Sequence, residues 1–235
     1  MPNEELYGVA AAEDYIGHYP TAARRVDEVV VHHTWRPTAD DYNGEGTIRG
    51  VRRYHMDERG WSDNGYHWML GPNGDVWRCR PMIRSGAHVS GRNAHTVGVS
   101  FIANFDSDDP AAYDGMDAGY RVVAALLKRF DLGVENIRFH REFANKTCPG
   151  NKLGIAGFRA AVAAVLGDEG SGTDPEPDPP APDVDEWAQE AVAFCRREGL
   201  MVGYPDGLFH GRDLITRQEV AVVVHRIKAN CHKED

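Results

Sequence analysis

The stretch that decides the fold is Glu28-Val29-Val30-Val31-His32-His33, in which three β-branched residues precede two histidines. Such a mostly apolar, β-branched run predicts a β-strand. Because successive side chains of a strand point to opposite faces, His32 and His33 are expected on opposite sides of a sheet. The two histidines should therefore not both serve one site.

Outward from this strand, extended and helical patterns alternate along residues 1–167. In chain order they are a helix within 46–58, strands at 66–70 and 75–79, a strand at 97–103, a helix at 116–131, a strand at 137–140 and a helix at 154–166. The turn Gly71-Pro72-Asn73-Gly74 between the two short strands predicts a β-hairpin. Alternating elements of this kind predict an α/β layer fold with a central sheet.

A Pro-rich acidic segment follows this first domain. Residues 168–183 read DEGSGTDPEPDPPAPD and lack apolar periodicity, which is typical of an extended linker. From Asp168 to Glu186 there are eight acidic residues and no Lys or Arg, so most of the net charge of −10 belongs here. We therefore predict a domain at 1–167, a linker at 168–183 and a small module at 184–235.

Composition argues against several classes of function. No stretch approaches the roughly 18 to 20 apolar residues that span a bilayer, so we expect no membrane span. Outside the acidic segment, 28 acids nearly balance 26 bases, and no basic stripe suggests a nucleic-acid partner. The acidic residues 1–6 lack the basic and apolar regions of a secretory signal, so synthesis in the cytoplasm without a signal peptide is expected.

Three residues of types that bind zinc lie at or near predicted strand ends. His32 is near the end of the first strand, His140 ends the strand at 137–140, and Cys148 follows eight residues later. Three protein ligands leave one tetrahedral position for water, which is typical of a catalytic zinc site. The spacing alone leaves open the alternative that these histidines only pack in the core or lie on the surface. Eleven histidines in the chain make chance pairs common.

Several motifs occur in an order that resembles one enzyme family. They are Val30-Val31-His32-His33-Thr34, Arg59–Trp68, Gly86-Ala87-His88, Asn93, Val97–Phe101, His140-Arg141-Glu142 and Lys146-Thr147-Cys148-Pro149-Gly150. Over about residues 25–165, the chain resembles the type-2 N-acetylmuramoyl-L-alanine amidases, which include phage endolysins and animal peptidoglycan recognition proteins. The resemblance implies an α/β fold in which helices flank a central mixed β-sheet.

The resemblance also implies a metal and a reaction. The family binds zinc through the first histidine of the strand-end pair, the late histidine and the cysteine, which match His32, His140 and Cys148. The expected activity is hydrolysis of the amide bond between N-acetylmuramic acid and L-alanine of peptidoglycan. Non-catalytic relatives lose the cysteine, so Cys148 favours an enzyme over a non-catalytic peptidoglycan-binding protein. A zinc peptidase that cuts elsewhere in the stem peptide is a second alternative.

Four more residues receive roles from the resemblance. Lys146 matches a lysine expected to stabilise the developing oxyanion, and Tyr66 matches a tyrosine expected to orient the attacking water. His88 is expected to line the substrate groove, and Asn93 is expected to contact the stem peptide. Without the resemblance, all four are also explained as a strand tyrosine, a solvated lysine and ordinary loop residues.

Residues 184–235 show the pattern of a helix, a turn-rich loop and a second helix. The matching parts are Trp187-Ala188, Gly199-Leu200, Gly203-Tyr204-Pro205-Asp206-Gly207 and Ile215-Thr216-Arg217-Gln218-Glu219. Through them the segment resembles a single S-layer homology repeat, a module that binds secondary cell-wall polysaccharides. Arg217 and Trp187 are the candidate contacts for such a polymer, with a solvated first-turn arginine as the alternative for Arg217. The family usually works as three repeats, and one is present here. Homo-oligomerisation through this module, weak binding and a different role are the open alternatives.

Taken together, the sequence predicts a zinc-dependent cell-wall amidase joined to a wall-anchoring module, with peptidoglycan as its partner. A phage or prophage endolysin fits this arrangement, because it is made in the cytoplasm and acts at the wall after its release. A bacterial autolysin exported by another route is the alternative.

Overall fold

The computed structural model describes residues 4–21 and 24–171, together with residues 184, 185, 188, 192, 195 and 220. The chain divides into two compact units, Met1–Glu169 and Gly170–Asp235. Apart from the isolated residues just named, the predicted helix–loop–helix of the second unit, with Trp187 and Arg217, lies outside the described residues. The domain boundaries at 167 and 184 stay predictions.

A six-stranded sheet forms the centre of the first unit. In chain order the strands β1 to β6 are Glu5–Tyr7, Glu28–His33, Trp68–Leu70, Val76–Arg78, Thr96–Phe101 and Ile137–Phe139. Their spatial order is β1-β4-β3-β5-β2-β6. Strand β2 runs parallel to β5 and β6, β3 runs parallel to β5, and β4 runs antiparallel to both its neighbours. The predicted mixed sheet is confirmed, and β4 is the strand that makes it mixed.

Strand β2 lies between β5 and β6, and its residues from Val29 to His33 are buried. Val29 and Val31 belong to the larger hydrophobic core on one side of the sheet. His32 alternates with them and therefore projects to the opposite side. The β-branched run forms a strand because it packs well on a pleated surface that is covered by other elements.

Four helices cover the sheet in the described part of the chain: α1 Val9–Gly17, α2 Glu45–Arg53, α3 Met116–Arg129 and α4 Ile155–Ser171. The larger core takes Ile16 from α1, Leu126 from α3 and Phe158 from α4. On the other face, α2 contributes Ile48 and Val51 to a smaller core. Helices therefore flank both faces of the sheet, as predicted. None of the helices in these residues is long and apolar enough to cross a membrane.

Two elements at the start of the chain were not predicted. Strand β1 has three residues, and α1 has nine, of which three consecutive residues are alanine, so neither carries a strong periodic pattern. Helix α1 is fixed instead by distant contacts, among them hydrogen bonds from the Arg121 guanidinium of α3 to the Glu13 carboxylate. Tertiary contacts therefore decide structure where local pattern is weak.

Two other predictions can be compared directly with the structure. The hairpin is confirmed, because β3 and β4 pair antiparallel around a turn in which Gly74 adopts a φ of 86°. The helix predicted within 46–58 is α-helical only to Arg53, and a π-helical turn, Tyr54–Glu58, continues it.

Candidate metal centre

His32, His140 and Cys148 lie together where β2 and β6 end. One potential ligand atom from each residue lies within 4.8 Å of the others, and we call these three residues the His–His–Cys cluster. His140 begins the 3₁₀ turn that directly follows β6, and Cys148 comes from the loop after it. Because β2 and β6 are parallel neighbours, their carboxyl ends meet at one edge of the sheet. The fold thus brings together the three residues predicted as ligands.

The cluster has a donor set that fits zinc. Imidazole nitrogen and cysteine sulfur are its preferred donors, and bonds of about 2.0–2.3 Å place tetrahedral ligand atoms roughly 3.3–3.8 Å apart. The distance from Cys148 Sγ to His32 Nδ1 is 3.7 Å. The ring centroids of His32 and His140 are 4.6 Å apart. Three such donors leave a fourth position for water or substrate.

Burial shifts the pKa of each cluster residue in the direction that favours the neutral form of that residue. Burial, and then the neighbouring His88 and His140, lower the pKa of His32 well below its ordinary value. Burial, followed by the charge of Lys146, lowers the pKa of His140 to about 4. Burial raises the pKa of the Cys148 thiol to about 12. Neutral imidazoles are ready to bind a metal, whereas the thiol has to release its proton when a metal binds.

A buried chain of hydrogen bonds holds His32 on the side away from Cys148. His32 Nε2 lies 3.1 Å from His88 Nδ1, and His88 Nε2 lies 3.3 Å from Thr96 Oγ1. The Thr96 hydroxyl donates to the Arg92 carbonyl at 3.1 Å. His88 is only 7% exposed. The structure therefore places His88 against a candidate ligand, and its predicted role in the substrate groove stays a prediction.

Asn93 organises the loop that carries His88. Its side-chain oxygen Oδ1 accepts hydrogen bonds from the backbone N–H groups of His88 at 2.8 Å and Val89 at 2.9 Å. These bonds fix the loop immediately before β5. Contact between Asn93 and the stem peptide stays a prediction.

His33 lies on the opposite side of the sheet from His32. Its Nδ1 accepts a hydrogen bond from the backbone N–H of Phe105 at 3.1 Å, and the two rings stack with centroids 6.5 Å apart. Burial lowers the pKa of His33 to about 4. Its backbone N–H points to Cys148 Sγ at 3.5 Å. His33 is thus a packed residue whose main chain supports the cysteine.

Arg141 holds the loop of Cys148 from one side. Its guanidinium donates to the carbonyl groups of Gly150 and Leu153, each at 2.7 Å. Its backbone N–H donates to the Cys148 carbonyl at 2.8 Å. The sequence showed Arg141 within a motif but indicated no role for it.

Asp106 holds the same loop from the other side. Its carboxylate accepts a hydrogen bond from Thr147 Oγ1 at 2.6 Å and another from the Asn151 backbone N–H at 2.9 Å. Sequence reasoning missed Asp106, because it lies 41 residues before Thr147 and no local pattern links the two. The position of Cys148 thus depends on a residue from the loop after β5.

Tyr66 and Lys146 complete the surroundings of the cluster. The ring of Tyr66 lies 5.1 Å from that of His32, and burial, followed by the nearby Cys148, raises the pKa of the Tyr66 hydroxyl. Lys146 is exposed, and its positive charge lowers the pKa of His32, His140 and Cys148. A neutral hydroxyl and a cation are therefore available beside the cluster.

The chain is similar in sequence to known proteins. A peptidoglycan recognition protein from Trichoplusia ni is 30% identical over 152 residues, which are 62% of this chain and 83% of that protein. A human N-acetylmuramoyl-L-alanine amidase is 30% identical over 132 residues, which are 52% of this chain and 22% of that protein.

A solved structure shows the same fold. The endolysine N-acetylmuramoyl-L-alanine amidase LysCS from Clostridium intestinale superposes with a TM-score of 0.51 at 24% identity. The superposition covers 60% of this chain and 86% of that one. Residues 181–221 separately match the model of the S-layer homology domain. Residues 22–151, more than half of the chain and including the whole cluster, match the family model of N-acetylmuramoyl-L-alanine amidase, and the chain belongs to that family.

Proposed function

We propose that this protein is a zinc-dependent amidase that hydrolyses the bond between N-acetylmuramic acid and the first L-alanine of peptidoglycan. The observation that carries the proposal is the His–His–Cys cluster, which combines three zinc-type donors within 4.8 Å in a chain of this family. A protein that only binds peptidoglycan has no need of such a donor set. Cys148 in particular favours hydrolysis over binding alone.

Amide hydrolysis makes clear demands on the site. An amide is a poor electrophile with a poor leaving group, so water needs activation, the oxyanion needs stabilisation and the departing amine needs a proton. Zinc supplies Lewis acidity, which polarises a carbonyl group and brings the pKa of water from 15.7 towards about 7. His32, His140 and Cys148 are the residues that would hold it.

The remaining demands fall to Tyr66 and Lys146. The positive charge of Lys146 is suited to stabilise the negative charge that develops on the carbonyl oxygen. The Tyr66 hydroxyl keeps its proton, because burial raises its pKa, and can hydrogen-bond to the attacking water and orient it. We assign these two roles accordingly, and the proton that the attacking water releases supplies the departing amine.

Digestion of purified peptidoglycan tests the reaction. We expect the zinc-loaded protein to lower the turbidity of a cell-wall suspension and to release stem peptides with a free amino-terminal L-alanine, identified by mass spectrometry. A different new terminus would indicate a zinc peptidase. Binding without any new terminus would indicate the second candidate function, non-catalytic recognition, which the name of the Trichoplusia ni relative favours.

We further propose that the C-terminal module anchors the enzyme to an anionic secondary polysaccharide of the wall. The match to the S-layer homology domain supports this, and Arg217 and Trp187 are the proposed contacts. Co-sedimentation with walls before and after chemical removal of that polymer tests the anchor, with Arg217→Ala as the variant. Equal sedimentation in both cases would contradict it.

The same module is proposed to mediate self-association. Light scattering of the full chain at micromolar concentration, compared with a chain lacking residues 184–235, tests this. We also propose that the enzyme acts at the bacterial wall after release from the cell, as a phage or prophage endolysin does. Lysis that requires co-expression of a membrane-permeabilising protein would support this origin, and lysis without one would contradict it.

A further inference from the structure

We infer that His88 is a positioning residue of the metal centre, which fixes the tautomer and the ring orientation of His32 and thereby sets the affinity for zinc. The inference rests on the proposed function in one respect, namely that the His–His–Cys cluster binds zinc. It does not depend on which bond of peptidoglycan is cut.

The hydrogen-bond chain behind His32 favours one arrangement of protons. The Arg92 carbonyl can only accept, so the Thr96 hydroxyl donates to it. The Thr96 oxygen then accepts from His88 Nε2–H at 3.3 Å. Because a neutral imidazole has one donor and one acceptor, His88 Nδ1 accepts from His32 Nε2–H at 3.1 Å. This leaves the lone pair of His32 on Nδ1.

The hydrogen-bond chain leaves Nδ1 of His32 free, and this atom faces the other two residues of the cluster. His32 Nδ1 lies 3.7 Å from Cys148 Sγ. A metal-binding histidine commonly donates its other ring N–H to a partner that fixes its tautomer. His88 takes the place that a carboxylate or carbonyl group usually has in such an arrangement. The direction of the hydrogen-bond chain, which the Arg92 carbonyl sets, thus leaves the Nδ1 lone pair of His32 ready to bind a cation.

The ring of His88 is held in place by the backbone around it. A Cβ atom added at Gly98 of β5 would lie 2.7 Å from His88 Cγ, and one added at Gly86 would lie 2.5 Å from His88 Cδ2. Two glycines therefore make the space that the ring occupies. Asn93 fixes the loop through the backbone N–H of His88. The ring therefore packs against the backbone at both glycines.

The same contacts distinguish a positioning role from a substrate-binding role. Both ring nitrogens of His88 have partners, His32 on one side and Thr96 on the other. The side chain is buried and offers no free nitrogen to a ligand in the groove. Loss of His88 should therefore weaken zinc binding rather than substrate binding.

Zinc titration of the full chain, in competition with a chromophoric chelator, tests the inference with a matched pair of variants. His88→Leu removes the acceptor, and we expect the affinity for zinc to fall about 10- to 100-fold. His88→Asn places an amide oxygen near the position of Nδ1, so its affinity should stay within about threefold of the wild type. The zinc-free variants should unfold at similar temperatures, which separates the effect from stability.

Two further variants leave His88 itself in place. Gly98→Ala pushes the ring out of its position and should lower zinc affinity by roughly tenfold. Thr96→Val removes the hydroxyl that orients His88 and should have a smaller effect in the same direction. If His88→Leu does not fold, these two variants test the inference in its place.

Two results would overturn the inference. The first is His88→Leu with the zinc affinity of the wild type; if its KM is also raised, His88 is a substrate contact instead. The second is His88→Asn weakened as much as His88→Leu. A wild-type chain that binds zinc but does not cut peptidoglycan would instead refute the proposed function and leave this inference standing.

Discussion

The two sides of the His–His–Cys cluster are held in different ways. His32 belongs to a central strand, and buried partners, beginning with His88, fix its ring. Cys148 belongs to a loop, and Arg141 and Asp106 fix that loop by hydrogen bonds that are partly accessible to solvent. His32 is therefore positioned by the fold itself. The position of Cys148 depends instead on hydrogen bonds from a few side chains, and water competes for these bonds.

Removal of the loop ligand should have the largest effect. We expect Cys148→Ala to lose stoichiometric zinc and to lower amidase activity by at least about a thousandfold, because two neutral imidazoles remain as the only donors. Metal analysis and the release of L-alanine termini measure the two quantities. Cys79→Ala is the control, since Cys79 is a buried cysteine of the smaller core. Activity of Cys148→Ala without bound zinc would refute the metal mechanism.

Removal of the positive charge of Lys146 should have the next largest effect on activity and should leave the metal in place. Lys146→Ala is expected to lower kcat by roughly a hundredfold through weaker oxyanion stabilisation. Zinc affinity should be close to that of the wild type. Lys152→Ala removes a charge from the same loop and serves as the control. Among the described contacts, the Lys152 ammonium donates only to the carbonyl of Ser107. Wild-type turnover in Lys146→Ala would disprove the assigned role.

Loosening of the loop should weaken zinc binding without removing a ligand. Arg141→Lys keeps the charge but loses the planar fork that reaches Gly150 and Leu153, and we expect about a tenfold lower zinc affinity. Chelator competition measures it. Arg49→Lys is a control on the surface of α2, where Arg49 pairs with Glu45. If both variants bind zinc equally well, the loop is not held by the Arg141 guanidinium.

The last prediction concerns folding stability rather than zinc or turnover, and it involves a buried histidine outside the cluster. Burial lowers the pKa of His55 to about 4, so between about pH 4 and 6.5 the unfolded chain binds the extra proton and stability falls as pH falls. We expect His55→Gln to reduce the loss of unfolding free energy between pH 6.5 and 4.5 by about 2 kcal/mol. Urea unfolding in the presence of a chelator measures this loss. An identical pH dependence in both proteins would contradict the prediction.

Sequence patterns were most successful where one element carries its own signal. The β-branched run of β2 and the amphipathic α3 were both predictable, because burial of one strand or one helix face imposes a local period. Strand β1 and helix α1 were not, because they are short and owe their place to partners such as Arg121. Among the site residues, Arg141 was visible only as part of a motif, and Asp106 was not visible at all.

The sequence by itself determined the types of donor and the separation of His32 from His33, since side-chain chemistry and the strand period are local properties. Only the tertiary structure decided which atoms meet. His88 reaches His32 across 56 residues, and Asp106 reaches Thr147 across 41. Contacts of this range follow from strand order and loop closure, which a local pattern of residues does not encode.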